Sequence, residues 1–258
     1  MTRPLLDGPP EARVAAIEAF TRTDAAPGGA DLDALRDCLG DASKRVQRRA
    51  AEAFALLASR GVEVGDRLRA ALDAHDVHLR WGAAYALSLS GPLPLAALPT
   101  LLDVMALDDG DLRWAGADLV KQLAAADRIP VVRQLLAAAL EPGAQRKMAL
   151  YCLRDLAVVE AVDVALGALG DTAVGVRLAA LAVLAEVHPN PAAAARRIAV
   201  LIGDRDPRMQ RAAAGTLGRL GVCSAEIIGA LRAAEASDDP SLRRAAARSL
   251  RALEAPSG

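Results

Sequence analysis

The stretch DPRMQRAAAGTL occupies residues 206–217, and DPSLRRAAARSL occupies residues 239–250, thirty-three residues later. Read backwards from these two, the same phrase recurs as PPEARVAAIEAF (9–20), SKRVQRRAAEAF (43–54), DVHLRWGAAYAL (76–87), DGDLRWAGADLV (109–120), PGAQRKMALYCL (142–153) and AVGVRLAALAVL (173–184). The fifth residue of each is Arg13, Gln47, Arg80, Arg113, Arg146, Arg177, Gln210 and Arg243, at spacings of 34, 33, 33, 33, 31, 33 and 33. A register this regular is the signature of a repeat architecture.

Each phrase opens a helix, here called B, expected near 9–22, 43–59, 76–90, 109–125, 142–157, 173–187, 206–220 and 239–253. Asp41, Asp76, Asp109, Glu141, Asp171, Asp206 and Asp239 stand at or just before the starts of units two to eight. An aspartate there can accept an orphan backbone N–H. A second apolar helix, A, is expected between successive B helices, as in PTLLDVMAL (99–107), VVRQLLAAAL (131–140), RRIAVLIG (196–203) and EIIGALRAA (226–234). Unit one lacks a full A helix, DAAPGGAD (24–31) reads as a loop, and the closing EAPSG (254–258) reads as a frayed tail.

Helical hairpins of about 33 residues stacked side by side form an all-α solenoid. The pattern D-P-x-L-R-R-A-A-A-x-x-L resembles HEAT repeats of the short, PBS-lyase-like type, from residue 9 to about 253. The resemblance implies one repeat domain over 1–258, a right-handed α-α superhelix of about eight hairpin units. It also implies that the fifth-position arginine bonds a loop aspartate of its own or the adjacent unit, and that the protein is a binding scaffold.

Composition agrees with this class. The chain is 53% hydrophobic, mostly alanine, and 2% aromatic, with no strand-like alternation of β-branched and aromatic residues. The formal net charge is −1. The opening MTRPLLDGPPEAR lacks the apolar core of a signal peptide, and no apolar run approaches the ~20 residues that span a bilayer. Cys38, Cys152 and Cys223 form no CxxC pair. A cytoplasmic protein without membrane contact is expected.

Helical geometry sorts the B positions, counted from zero. Positions 3, 7, 10, 11 and 14 share one apolar side and include Phe20 and Phe54 at position 11. Positions 5, 9 and 12 point elsewhere, and all four Trp and Tyr residues fall there: Trp81 and Trp114 at position 5, Tyr85 and Tyr151 at position 9. Both tryptophans are therefore expected to line a groove, one above the other, with Trp81 packing on Tyr85 one turn away or on Trp114 one repeat away. The same positions carry Arg48, Lys121, Lys147, Arg154, Arg211, Arg244, Arg248 and Arg251 against Glu18, Glu52 and Asp118, a basic face on a nearly neutral molecule. The binding residues expected are Trp81, Tyr85, Trp114, Asp118, Lys121, Lys147, Tyr151 and Arg154, and the expected partner is a protein segment with acidic residues and an apolar anchor.

No phosphate loop, GxSxG elbow or HExxH motif is present, and His75, His78 and His188 lack companions for a metal site. No metal or cofactor is expected, and a non-enzymatic scaffold is the reading. Deoxyhypusine hydroxylases, HEAT-like enzymes with His-Glu pairs, are unlike this chain, which has none. Phycobilin lyase subunits share the repeat type, but no residue here indicates bilin chemistry. The alternative is a DNA-binding protein. RKMALYCLRDLA (146–157) resembles the Arg-bearing helix of HEAT-like alkylpurine DNA glycosylases, enzymes of base excision repair. That resemblance implies Asp118 and Arg154 as catalytic residues, with Trp81, Trp114 and Tyr151 against the lesion.

Overall fold

A computed structural model describes residues 3–23 and 25–254 of the chain. The described residues form α-helices and short 3-10 turns, with no strand among them. They divide after residue 131 into two compact units.

In the first unit the helices run α1 (Arg3–Leu6), α2 (Pro10–Arg22), α3 (Gly29–Asp37), α4 (Lys44–Ser59), α5 (Gly65–Ala71), α6 (Val77–Ser90), α7 (Leu98–Ala106) and α8 (Gly110–Ala126). A 3-10 turn, Cys38–Gly40, continues α3. Helix α9 (Arg128–Leu140) spans the division. The second unit holds α10 (Arg146–Asp155), α11 (Ala161–Ala168), α12 (Val174–Glu186), α13 (Pro191–Ala199), α14 (Pro207–Leu220), α15 (Ala225–Glu235) and α16 (Pro240–Glu254). Even-numbered helices are the B helices and odd-numbered ones the A helices. The first A helix is the single turn α1.

Aspartates start the B helices in two ways. Asp76, Asp109 and Asp206 are themselves N-caps, accepting from the amides of His78, Leu112 and Arg208 at 2.9, 3.1 and 2.8 Å. Asp41 and Asp171 sit two residues before the cap and accept from Ser43 and Ala173 at 2.8 Å. Either arrangement satisfies a donor that the helix itself cannot. Glu141 is the exception: α10 begins only at Arg146, behind an uncapped Gln145, because Pro142 and Gly143 hold the chain in a loop. The loop read at 24–31 is shorter than expected, since α3 already starts at Gly29. Of the tail EAPSG, residues 255–258 lie outside the described residues.

The apolar side of the B helices is buried as their spacing dictates, with Val46, Ala50, Ala53 and Phe54 at 3% exposure or less. A second buried row was not evident from the sequence. Position 8 carries Ile17, Ala51, Ala84, Ala117, Leu150, Leu181 and Ala214, each at most 2% exposed. The cause is stacking. A B helix inside a solenoid buries one face on the A helices and another on neighbouring B helices. In the last repeat the corresponding Ala247 is only half-buried, and no later B helix follows among the described residues.

Within the units B helices pack directly, α2 on α4, α4 on α6, α10 on α12, α12 on α14 and α14 on α16. The pair α6 and α8 differs: α8 rests on α7 and has little direct contact with α6. Helix α6 instead lies hard against the turn Cys38–Gly40, with Gly82 facing Leu39. The B row therefore opens between α6 and α8.

The fifth-position column ties the repeats together. Gln47, Arg80, Arg113, Arg177, Gln210 and Arg243 each donate to the carbonyl six residues earlier, at 2.6 to 3.2 Å. The arginines also reach carboxylates: Arg13 to Asp41 at 2.9 Å, Arg80 to Asp103 at 2.6 Å, Arg146 to Asp171 at 2.7 Å and Arg177 to Asp204 at 3.0 Å. Each such bond clamps one hairpin to the next through a charge-assisted contact. This column is structural.

Candidate functional site

On the B face of the first unit the opening between α6 and α8 forms a cavity of about 260 Å³. Trp81, Gly82 and Tyr85 from α6 and Leu112 and Ala115 from α8 line it, and Lys44, Gln47, Arg48 and Asp111 surround it. Trp81 stacks on Tyr85, with ring centroids 5.8 Å apart and planes at 18°. A second hollow of about 330 Å³ adjoins it, lined by Val14, Glu18, Lys44, Arg45, Arg48, Arg49 and Glu52. Lys44 and Arg48 belong to both.

The two tryptophans, expected to line a groove one above the other, do not share one environment: Trp81 lines this cavity and Trp114 is not among its lining residues. Trp81 is 6% exposed, whereas Trp114 is 49% exposed. Their register position is the same, but Trp81 has α4 on one flank and α8 on the other. It forms one wall of the gap left where the two B helices part. Of the two open stacking alternatives, Trp81 takes Tyr85 as its ring partner.

Charges around the cavity are mostly paired. Lys44 Nζ lies 2.7 Å from Asp109 and 3.4 Å from Asp111, so one side chain of α4 reaches two repeats along the stack. The Asp109 hydrogen bond holds the Lys44 ammonium above its usual pKa, and Lys44 together with the Leu112 amide holds Asp109 below its own. Arg49 pairs with Glu18 at 3.1 Å and Glu52 at 2.9 Å, and Arg45 meets Glu11 at 3.7 Å. Exposed Arg48 makes no ion pair among the described residues.

Further along the first unit, α8 presents Trp114, Asp118 and Lys121. Asp118 is bridged to Lys121 at 2.8 Å. In the second unit, α10 presents Lys147, Tyr151 and Arg154. The Arg154 guanidinium lies over the Tyr151 ring at 5.1 Å and pairs with Asp155 at 2.6 Å. Arg211 pairs with Asp239 at 3.0 Å, and Arg244 donates to the Ser241 hydroxyl. Positions 5, 9 and 12 of the second unit carry Lys147, Arg154, Arg211, Arg244, Arg248 and Arg251 with no acid, while those of the first carry two cations and three acids. The basic character is thus confined to the second unit.

Sequence reasoning missed Lys44, Asp111, Leu112 and Ala115 as cavity residues. They occupy register positions 1, 2, 3 and 6, and only the parting of α6 and α8 exposes those positions to a common space. Among the described residues no group of three His, Cys, Asp or Glu side chains is placed to hold a metal ion. No helix is long and apolar enough to cross a membrane. Cys38, Cys152 and Cys223 form no disulfide among the described residues, and burial, with the Asp41 and Asp37 charges, pushes Cys38 up to about 11.

The comparisons agree with the fold. The HEAT-repeat sequence profile matches residues 32–121. No curated protein sequence matches the chain. An engineered protein of known structure aligns over 98% of this chain and 77% of its own, at 19% identity and a TM-score of 0.51. Kap121p bound to Pho4p aligns over 98% of this chain and 33% of its own, at 12% identity and a TM-score of 0.67. A mutant Kap121p gives 13% identity and a TM-score of 0.65, again over 33% of its length. The chain is an all-α protein built of HEAT-type helical hairpins, with a HEAT sequence match at residues 32–121.

Proposed function

We propose that the protein is a non-enzymatic scaffold that holds a protein partner on the outward face of its B helices. The observation that carries this reading is the aromatic cavity of the first unit, with Arg48 at its rim. A buried tryptophan and a half-buried tyrosine lining a pocket beside an exposed arginine match the composition of protein-binding hot spots. The fold neighbour Kap121p, bound to Pho4p, is a precedent for a solenoid of this fold holding a protein. In this reading Trp81, Tyr85, Trp114, Lys121, Lys147, Tyr151 and Arg154 contribute to contact surfaces, and Asp118 keeps Lys121 in place.

A photo-crosslinking amino acid placed at Trp114 or Tyr151, and at Arg232 on α15 as a control, tests the reading in cells. Protease-sensitive adducts at 114 and 151, absent at 232, are expected. Equal labelling at all three positions would discard the B face as the binding surface. Nuclease-sensitive adducts would instead favour the DNA-binding alternative. The acid-free face of the second unit suits that alternative, because cations there would release counterions from phosphates. In that case release of alkylated bases by wild type but not by Asp118→Asn or Arg154→Ala would identify a glycosylase.

A further inference from the structure

We infer that the cavity between α6 and α8 takes one bulky apolar side chain of an acidic partner segment, whose neighbouring carboxylate is read by Arg48. The inference rests on the protein-binding reading above and assigns its anchor point. Size comes first. A cavity of about 260 Å³ admits a single large side chain. It cannot admit a helix, which is about 10 Å across. Lining comes second. The stacked Trp81 and Tyr85 rings, Leu112 and Ala115 give the occupant an apolar bed.

Charge decides the rest. Three of the four α4 cations around the two hollows already have carboxylates: Lys44 has Asp109 and Asp111, Arg45 has Glu11, and Arg49 has Glu18 and Glu52. Arg48 lines both hollows and has none among the described residues, so a carboxylate seated on it lies on the ridge beside the apolar cavity. A guanidinium matches a carboxylate through paired N–H donors. A polyanion such as a nucleic-acid backbone is disfavoured here, because Asp111 stands at the cavity, Glu18 and Glu52 line the adjoining hollow, and Asp109 holds Lys44 beside them. The place accommodates one negative charge with an apolar neighbour.

Selection of a displayed random-peptide library on the whole protein tests this, followed by binding of the selected synthetic peptides to wild type, Arg48→Glu and Ala115→Trp. Arg48 is exposed and its replacement leaves the core untouched, while the Ala115→Trp indole fills the cavity. Circular dichroism confirms the fold of both variants. The expected result is enrichment of peptides that place Asp or Glu beside Phe, Leu or Trp. These peptides should lose about tenfold or more in affinity for both variants, because Arg48→Glu sets like charge against the peptide carboxylate and the Ala115→Trp indole occupies the cavity. Peptides that bind both variants as tightly as wild type would overturn the cavity assignment and leave the protein-binding face standing. Enrichment of basic peptides, or of none, would also overturn it. The crosslinking result separately decides whether a protein partner uses the B face at all.

Discussion

Gly82 faces Leu39 so closely that a methyl group on its Cα would lie 2.4 Å from the Leu39 carbonyl oxygen and 2.7 Å from its Cβ. Helix α6 can lie on the Cys38–Gly40 turn only because that methyl is missing. Replacing Gly82 with alanine is expected to destabilise the protein by about 1–3 kcal/mol, the cost of overpacking. Gly215 on α14 is the control: a methyl there meets nothing within 4 Å. Gly215→Ala should stabilise by about 0.5–1 kcal/mol through helix propensity. Urea unfolding of the two variants reads the difference, and equal effects would refute the close-contact argument.

The tryptophans offer a direct optical check. In Trp114→Phe only Trp81 emits, and its emission should be blue-shifted and resistant to acrylamide, as its 6% exposure demands. In Trp81→Phe only Trp114 emits, and at 49% exposure its emission should lie to the red of Trp81 and be quenched more readily by acrylamide. Similar quenching in both variants would contradict their unequal burial.

Ala157 has φ of 49°, the left-handed conformation, and it is the one non-glycine among the described residues to do so. It ends α10 in a Schellman arrangement: Val158 N–H donates to the Leu153 carbonyl at 3.0 Å and Ala157 N–H to that of Arg154 at 2.9 Å. The same motif ends α4, where Gly61 occupies the position at φ 80°. Glycine avoids the Cβ clash that alanine meets there. Ala157→Gly should therefore raise stability by about 1 kcal/mol, seen as an increase in Tm. An unchanged or lower Tm would refute this reading of the strain.

Asp206 is held down to about 2 by the Arg208 guanidinium 2.8 Å away, aided by the Arg208 amide, against 3.8 for the unpaired acid. Its folded pKa is depressed, so its contribution is complete above the unfolded value and disappears as pH falls through the folded one. The Tm difference between wild type and Asp206→Asn should be constant near neutrality and shrink between about pH 4 and pH 2. A difference that does not change with pH would show that the pairing adds nothing to stability.

Much of the fold could be read from the chain because a solenoid repeats its instructions. Eight copies of one phrase locate the B helices, and the aspartate before most of them marks the start. Where the instruction changes, the reading failed: Glu141 followed by Pro142 and Gly143 delays α10 by four residues from the expected start. The position-8 row was hidden because alanine there looks the same whether it packs or not. The candidate site was half legible. Type and register singled out Tyr85 and Trp81, which line the cavity, but their enclosure depends on the gap between α6 and α8. That gap, like the placement of α6 on Leu39, is a tertiary feature that no local periodicity records.

The parting of α6 and α8 also has a mechanical meaning. Directly packed B helices resist shear, whereas this junction passes load through α7 on the A side and through the Lys44 bridges to Asp109 and Asp111. The first unit thus contains a compliant joint with Trp81 as its bearing. A side chain wedged into the cavity would stiffen it, so optical-trap stretching of Ala115→Trp is expected to show a less extensible first unit than wild type, and an identical extension curve would deny the joint its compliance.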